Sequence, residues 1–235
     1  MRSTRCSVGC AGRGSGACAL RGHIKTGRTR AYGTQNEGRL FQVSHMISEK
    51  AICVAPGQGL AIIAAINITS AAKSVVVELA STDDRFRFAV EIERGALFAS
   101  LQFREQHTRT TGFDMLDFVG FPMTLQAELV PSAEVAPTIN RSFRLGLALT
   151  RIIANAPTKS RSRTVCCDLP PELPLGLSLG AAHDGSGQAT MFFQSLGLFS
   201  NPTSQQYQRI VSYNLERSEH IGLLEFSTAR MPSGT

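Results

Sequence analysis

Apolar and polar side chains alternate with a period of two along much of the chain after Leu40. The clearest run is residues 85–93, in which one set of alternate residues is apolar and the other is mostly charged. Such alternation predicts a β-strand with one face in a core and the other in water. Arg94 and Gly95 then provide a two-residue reversal into Ala96–Phe103, which alternates in the same way. The two runs and the turn between them predict a β-hairpin.

Five further segments have the length and apolar content of strands, and prolines lie between them. These segments are residues 59–68, 123–129, 143–149, 175–179 and 190–199. Many short strands without a βαβ rhythm predict an all-β fold, namely a single antiparallel β-sandwich of the jelly-roll type at residues 39–230. A chain of 235 residues, 43% of them hydrophobic, is long enough to bury such a core.

Positive charge is concentrated at the N-terminus, where no acidic residue precedes Glu37. The whole chain carries a net charge of +6, so the residues after this segment are close to neutral. We therefore predict a disordered basic arm at residues 1–38, for which contact with nucleic acid or another acidic surface is one interpretation. The cations assigned to that contact are Arg13, Arg21, Lys25, Arg28 and Arg30. A targeting segment for organelle import and a plain tether are the alternative interpretations of the arm.

A second basic cluster, at residues 159–163, separates two strand-like segments. Its cations are Lys159, Arg161 and Arg163. Because the cluster interrupts these two segments, we predict an exposed loop here. Together with the arm, this loop is also a candidate phosphate-contacting surface.

Neither the cysteines nor the hydropathy of the chain indicates a metal or a membrane. Cys6, Cys10 and Cys18, followed by His23, are residue types of a zinc site, but their spacing fits no common zinc pattern. We therefore expect free thiols and no metal or other cofactor. No apolar run reaches about 18 residues, so membrane insertion is not expected. The predicted compartment is the cytoplasm, with an importing organelle or secretion without a signal peptide as alternatives.

The segment from Pro56 to Leu79 resembles the opening hairpin of galectins. It reads Pro-Gly-x-Gly-Leu-x-Ile, then a turn of small residues, then Val-Val-Val-Glu-Leu. Residues 143–149 are similar to the Phe-x-Leu-x-Ile strand of that family. Residues 175–180 and 191–199 are similar to the closing strands that galectins share with laminin-G-like modules. The resemblance implies a concanavalin-type sandwich that binds carbohydrate or a glycoconjugate on one sheet face.

The galactose-reading motif of galectins, His-x-Asn-Pro-Arg followed by an Asn and a Trp, is not retained. The matching strand carries Glu91 and Glu93, Arg94 follows it, and the chain contains no Trp. The resemblance implies that these three residues contact the ligand, while an ordinary solvated face and a repurposed protein-interaction face are the alternatives. Two carboxylates are also the minimum for glycoside hydrolysis. However, the chain shows neither a nucleophile motif nor a nucleotide-binding glycine loop, so we predict no enzyme activity.

These observations lead to two hypotheses of different classes. The first is a non-enzymatic binding protein with a galectin-like sandwich. The second is a structural or assembly protein, such as a virus-like coat subunit or a component of a larger complex. In that second case the arm contacts nucleic acid, and the sandwich is free to associate with copies of itself through its sheet edges.

Overall fold

A computed structural model of the protein describes residues 24–26, 39–41, 46–48, 51–54, 56–57, 59–132, 142–151, 157–170 and 172–200. Their regular structure consists of β-strands and one short 3-10 helix, Met115–Asp117. The first strands are β1 Ile24–Thr26, β2 Arg39–Phe41, β3 Met46–Ser48, β4 Ile52–Val54 and β5 Leu60–Ile68. The next are β6 Ser74–Ser81, β7 Phe86–Glu93, β8 Ala96–Phe103, β9 Gln106–Arg109 and β10 Phe113–Asp114. The last are β11 Met123–Pro131, β12 Ser142–Arg151, β13 Lys159–Cys166, β14 Leu173–Leu179 and β15 Met191–Ser200.

The strands form two antiparallel sheets, which confirms the predicted β-sandwich. The nine-stranded sheet has the order β1-β3-β14-β6-β7-β8-β10, with β4 added to β14 and β9 added to β8. The six-stranded sheet has the order β13-β12-β11-β5-β15-β2. Consecutive strands β6 to β10 lie in the nine-stranded sheet and β11 to β13 in the six-stranded sheet, while the strands before and after these runs cross between the two sheets.

The core lies between the facing sides of the two sheets. On β7 the inward residues are Phe86, Phe88, Val90 and Ile92, each at most 1% exposed. On β12 they are Phe143, Leu145, Leu147 and Leu149, also at most 1% exposed. Burial of one such side chain stabilises the fold by about 1.5–3 kcal/mol. The period-two alternation seen in the sequence is therefore the pattern of a sheet with one face in the core.

The predicted hairpin of residues 85–103 is present as β7 and β8. Its turn residues, Arg94 and Gly95, both have positive φ angles of 52° and 75°. This is the backbone geometry that matches the twist of two antiparallel strands joined by two residues. Glu93 pairs with Ala96 directly across the turn. The register that follows places Arg87, Glu91 and Glu93 on the outer face of the nine-stranded sheet.

The galectin-like opening hairpin at residues 56–79 is not a hairpin in this chain. β5 pairs with β11 and β15 in the six-stranded sheet, whereas β6 pairs with β7 and β14 in the nine-stranded sheet. Residues 69–73, which lie between them, therefore carry the chain across the sandwich. The local sequence pattern indicates two strands but not whether they pair with each other, which explains why the predicted hairpin was wrong.

The basic segment that was predicted to be a loop is the edge strand β13. It pairs along its length with β12, from Lys159 opposite Leu149 to Cys166 opposite Ser142. Most of its side chains are exposed, including Lys159, Arg161 and Arg163. The strand has no apolar alternation because it lies at the edge of the sheet, where backbone pairing rather than side-chain burial holds it. Charged side chains on an edge strand also oppose pairing with another sheet.

The predicted basic arm lies mostly outside the described residues, and so do Arg13, Arg21, Arg28 and Arg30. Lys25 is the exception, because it is the middle residue of β1 and pairs with Ile47 of β3. A short strand at the edge of the nine-stranded sheet thus falls within the residues assigned to the arm.

The described cysteines, Cys53, Cys166 and Cys167, are free thiols. Cys53 and Cys166 are exposed, whereas Cys167 is 6% exposed and packs against the core. Burial raises the pKa of the Cys167 thiol to about 11, and the neighbouring Cys166 and Asp168 add to the rise. Among the described residues, no helix is long and apolar enough to cross a membrane.

The vicinal thiols should differ sharply in reactivity. A rise in pKa from 9.0 to about 11 lowers the thiolate fraction of Cys167 about a hundredfold at neutral pH. We expect iodoacetamide at pH 8 to alkylate Cys166 first, and the rate at Cys167 to rise about tenfold per pH unit up to about pH 11. Fragment-ion mass spectrometry of the peptide that contains both residues distinguishes them. Equal labelling of the two thiols at pH 8 would show that Cys167 is not buried.

Candidate functional site

The three residues predicted to bind a ligand lie together on the outer side of the β7–β8 hairpin. Glu91 and Glu93 are half-buried outward residues of β7, and Arg94 is an exposed turn residue. Each carboxylate has a different cationic partner. Glu91 accepts a hydrogen bond from Arg87 at 3.1 Å, and Glu93 accepts one from Arg109 at 2.5 Å. The two carboxylates therefore belong to separate ion pairs.

Arg87 is the centre of the first ion-pair group. Its Nε donates to Glu78 Oε2 at 2.5 Å, and the Glu78 side chain is only 4% exposed. The second oxygen of Glu78 accepts the backbone N–H of His183 at 2.8 Å. Burial alone would lower the pKa of Arg87, but the charges of Glu78 and Glu91 outweigh it and raise that pKa above its ordinary value. This group fastens the 182–187 loop to the sheet.

Arg109 is the centre of the second group. Its hydrogen bond holds the pKa of the Glu93 carboxyl below the usual value. The guanidinium also lies over the Phe98 ring, 4.8 Å from its centroid. The ring also packs so closely on Gly112 that an added Cβ would lie 2.6 Å from it. Phe98 is thus an outward aromatic ring directly across the strands from Glu91, and Arg109 lies over it.

A groove that the sequence did not indicate opens on the outer face of the other sheet. It crosses β11, β12 and β13 and has a volume of about 460 Å³. Its lining residues are Gln126, Glu128, Val130, Arg144, Gly146, Leu147, Ala148, Ser160, Arg161 and Ser162. The polar members of this set supply carboxylate, guanidinium, amide and hydroxyl groups within one concavity.

The register of the three strands explains how these groups meet. Glu128 lies opposite Gly146, which in turn lies opposite Ser162. The neighbouring row joins Gln126 to Ala148 and Ser160 in the same way. All are outward residues, because Met123, Leu125, Ala127 and Leu129 occupy the inward positions of β11.

Glu128 is the most enclosed charged group of the groove, with a side chain that is 13% exposed. Its Oε1 lies 2.8 Å from an Arg144 guanidinium nitrogen, and its Oε2 accepts a hydrogen bond from Gln126 at 3.3 Å. The carboxylate lies directly over Gly146, where an added Cβ would come within 2.8 Å of Glu128 Cγ. Gly146 therefore creates the space that the side chain occupies. Arg144 is more open, at 55% exposed, and can contact a ligand from the rim.

Sequence reasoning missed this groove because its members come from strands whose pairing only the fold reveals. One signal was present: Gly146 lies within the strand-like run of residues 143–149, and glycine within a strand often marks a close approach to the backbone. For metal chemistry, no group of three or more His, Cys, Asp or Glu side chains suited to an ion occurs among the described residues.

No family model and no curated protein matches the sequence. Solved structures do match its fold. Domains LG4-5 of the mouse laminin alpha1 chain share 12% identity at a TM-score of 0.45, covering 74% of this chain and 44% of the laminin chain. The metal-free lectin I-B4 of Griffonia simplicifolia shares 13% identity at a TM-score of 0.40, covering 74% and 92%. A GH54 α-L-arabinofuranosidase shares 9% identity at a TM-score of 0.47, covering 76% and 40%.

The chain thus spans less than half of the matched laminin and arabinofuranosidase chains. The resemblance to laminin-G-like and lectin sandwiches that the sequence predicts is found again among solved structures. With every identity below 15% and every TM-score below 0.5, these likenesses assign neither a ligand nor an activity to this chain.

Proposed function

We propose that this chain is a non-enzymatic carbohydrate-binding protein whose ligand occupies the groove of β11, β12 and β13. The observation that carries the proposal is the Glu128–Arg144 pair, which lies over Gly146 within a concavity of about 460 Å³. That volume falls in the range of about 300–1,000 Å³ typical of small-molecule sites and suits one or two sugar rings.

The chemistry of the groove matches that of sugar hydroxyls. A hydroxyl both donates and accepts, so a pair of neighbouring hydroxyls can bind a carboxylate and a guanidinium at the same time. Glu128 offers acceptors, Arg144 offers donors, and the hydroxyl groups of Ser160 and Ser162 do both. Hydrogen bonds to charged groups are stronger than those between neutral groups. Val130 and Ala148 provide the apolar contact for ring carbons, in place of an aromatic ring.

Binding is favoured over hydrolysis by the number of carboxylates. Glycosidases of both common mechanisms use two carboxyl groups on either side of the scissile bond. The described lining of this groove supplies one carboxylate, Glu128, and that carboxylate is paired with Arg144. Both oxygens of that carboxylate are already engaged, Oε1 by Arg144 and Oε2 by Gln126.

The proposal predicts that a glycan array probed with the full chain identifies a ligand, and that Glu128→Gln weakens its binding about 10- to 100-fold. This range corresponds to the loss of a charge-assisted hydrogen bond worth about 1.5–3 kcal/mol. Gly146→Val should weaken binding further, because the new side chain displaces Glu128 into the groove. Isothermal titration calorimetry of the array hit measures both effects.

Glu93→Gln is the matched control, since it neutralises a half-buried, arginine-paired carboxylate on the other sheet. We expect it to leave affinity unchanged. A loss of binding with Glu93→Gln but not with Glu128→Gln would move the site to the β7–β8 hairpin, where the sequence had placed it. Failure of every glycan to bind would refute the proposed function.

A further inference from the structure

Two large apolar side chains are exposed on one short loop, which connects β10 to β11. Leu116 is 84% exposed and Phe121 is 38% exposed. Among the large hydrophobic side chains of the described residues, these two are the exposed ones. Single exposed apolar residues are common on protein surfaces, whereas these two lie five positions apart on one loop. We call this segment, residues 115–121, the apolar loop.

The apolar loop is held in place by its backbone and by buried neighbours. Met115 and Phe118 are at most 2% exposed and anchor the loop in the core. The Leu116 N–H donates to Asp114 Oδ1 at 2.9 Å, and the Gly120 N–H donates to the Ile68 carbonyl at 2.8 Å. Leu116 therefore points outward from a fixed turn, and its exposure does not reflect a loose end of chain.

Cations surround the apolar loop on the side of the six-stranded sheet. The Arg151 guanidinium lies 4.6 Å from the centroid of the Phe121 ring. Lys159 Nζ lies 5.3 Å from the Phe118 centroid and 2.9 Å from an Asp117 carboxylate oxygen. Arg161 stacks over Phe113 at 5.0 Å, and Arg163 follows on the same side of β13. Arg151, Lys159 and Arg161 thus contact aromatic rings at or beside the loop, and the carboxylates of this segment are Asp114 and Asp117.

We propose that the apolar loop and these cations form a docking surface for an anionic lipid membrane. An apolar tip with flanking Lys and Arg residues is the arrangement that interfacial binding requires: the tip enters the headgroup region while the cations contact lipid phosphates. Contact of this kind needs no membrane-spanning segment.

An anionic membrane explains the patch better than nucleic acid does. Phosphate contacts would account for Arg161 and Arg163, but they leave the 84% exposed aliphatic side chain of Leu116 without a role. Arg161 belongs both to this surface and to the lining of the carbohydrate groove, whereas Leu116 and Phe121 do not line the groove. A test at Leu116 therefore distinguishes failure of this proposal from failure of the proposed function.

The absence of Trp from the chain permits a background-free test in the full-length protein. Leu116→Trp places a single indole at the exposed tip, where it disturbs no packing. With phosphatidylcholine vesicles that contain phosphatidylserine, we expect a blue shift of its emission and quenching by brominated acyl chains. Vesicles of phosphatidylcholine alone, or raised salt, should abolish both signals, because the cations are then no longer attracted.

Gln106→Trp, at an exposed position on β9, is the control for anchoring through the basic N-terminal residues. A response at position 116 alone supports the proposal, as does a vesicle affinity about tenfold lower for Leu116→Ser in sedimentation. An equal response at both positions, or none at 116, would overturn it. A change on adding a DNA or RNA oligonucleotide, with none on adding vesicles, would overturn it in favour of nucleic acid.

Discussion

Replacement of Glu78 by alanine should lower the free energy of unfolding by about 2–4 kcal/mol, although the residue lies outside both proposed binding surfaces. Its carboxylate is nearly buried and bonds to two groups at once, Arg87 and the His183 backbone N–H. Removal of the carboxylate leaves the His183 N–H without this acceptor. It also leaves the half-buried Arg87 guanidinium with one carboxylate partner fewer. The loss falls below the upper limit for a buried pair because Glu91 still contacts Arg87, which is 25% exposed.

Two variants separate charge pairing from simple loss of volume. Glu91→Ala keeps the Glu78–Arg87 contact and should cost less than about 1 kcal/mol, as is usual for partly exposed pairs. The double change Glu78→Leu with Arg87→Met replaces the whole pair by apolar groups and should recover most of the stability. Urea unfolding of the full chain measures all three. If Glu78→Ala and Glu91→Ala cost the same, the buried carboxylate does not hold the 182–187 loop.

The strands of this fold could be predicted from the sequence where burial of one face makes apolar and polar residues alternate. Residues 85–103 alternate because one face of each strand packs in the core, so both strands and the turn at Arg94 and Gly95 were predicted correctly. The strand β13 was not, because an edge strand with exposed Lys, Ser and Arg residues has no pattern to read. A hydropathy pattern appears only where side chains pack in a core, whereas β13 is held in place by backbone hydrogen bonds to β12.

The pairing of strands that are far apart in the sequence could not be predicted, for a different reason. The turn after β5 gives no sign that β6 belongs to the opposite sheet, since a crossover and a hairpin use similar small residues. The groove depends on such pairing: Glu128, Gly146 and Ser162 come from three strands and meet only through their register. Glu78 did give a signal in the sequence, because it is a lone carboxylate within the apolar run of residues 75–80. The sequence shows that such a charge needs a partner but does not identify it.

The register of the β7–β8 hairpin predicts that the same substitution on its two faces has very different effects. Phe88→Ala should destabilise the chain by about 3–5 kcal/mol, the usual range for a phenylalanine removed from a packed core. Phe88 is 0% exposed and lies among the inward residues of both sheets. Phe98→Ala should cost about 1 kcal/mol, because this ring lies outward opposite Glu91 and loses mainly its contact with Arg109.

The comparison tests the fold itself, since a one-residue shift of the hairpin would move every side chain to the other face. Domains commonly have a total stability of about 5–15 kcal/mol, so Phe88→Ala removes a large share of it and is best measured by urea titration at low temperature. The slope of unfolding free energy against urea should stay constant for both variants, because neither changes the surface exposed on unfolding very much. Equal losses for the two variants would show that Phe98 is also in the core. The assignment of Glu91, Glu93 and Arg109 to the outer face would then be wrong.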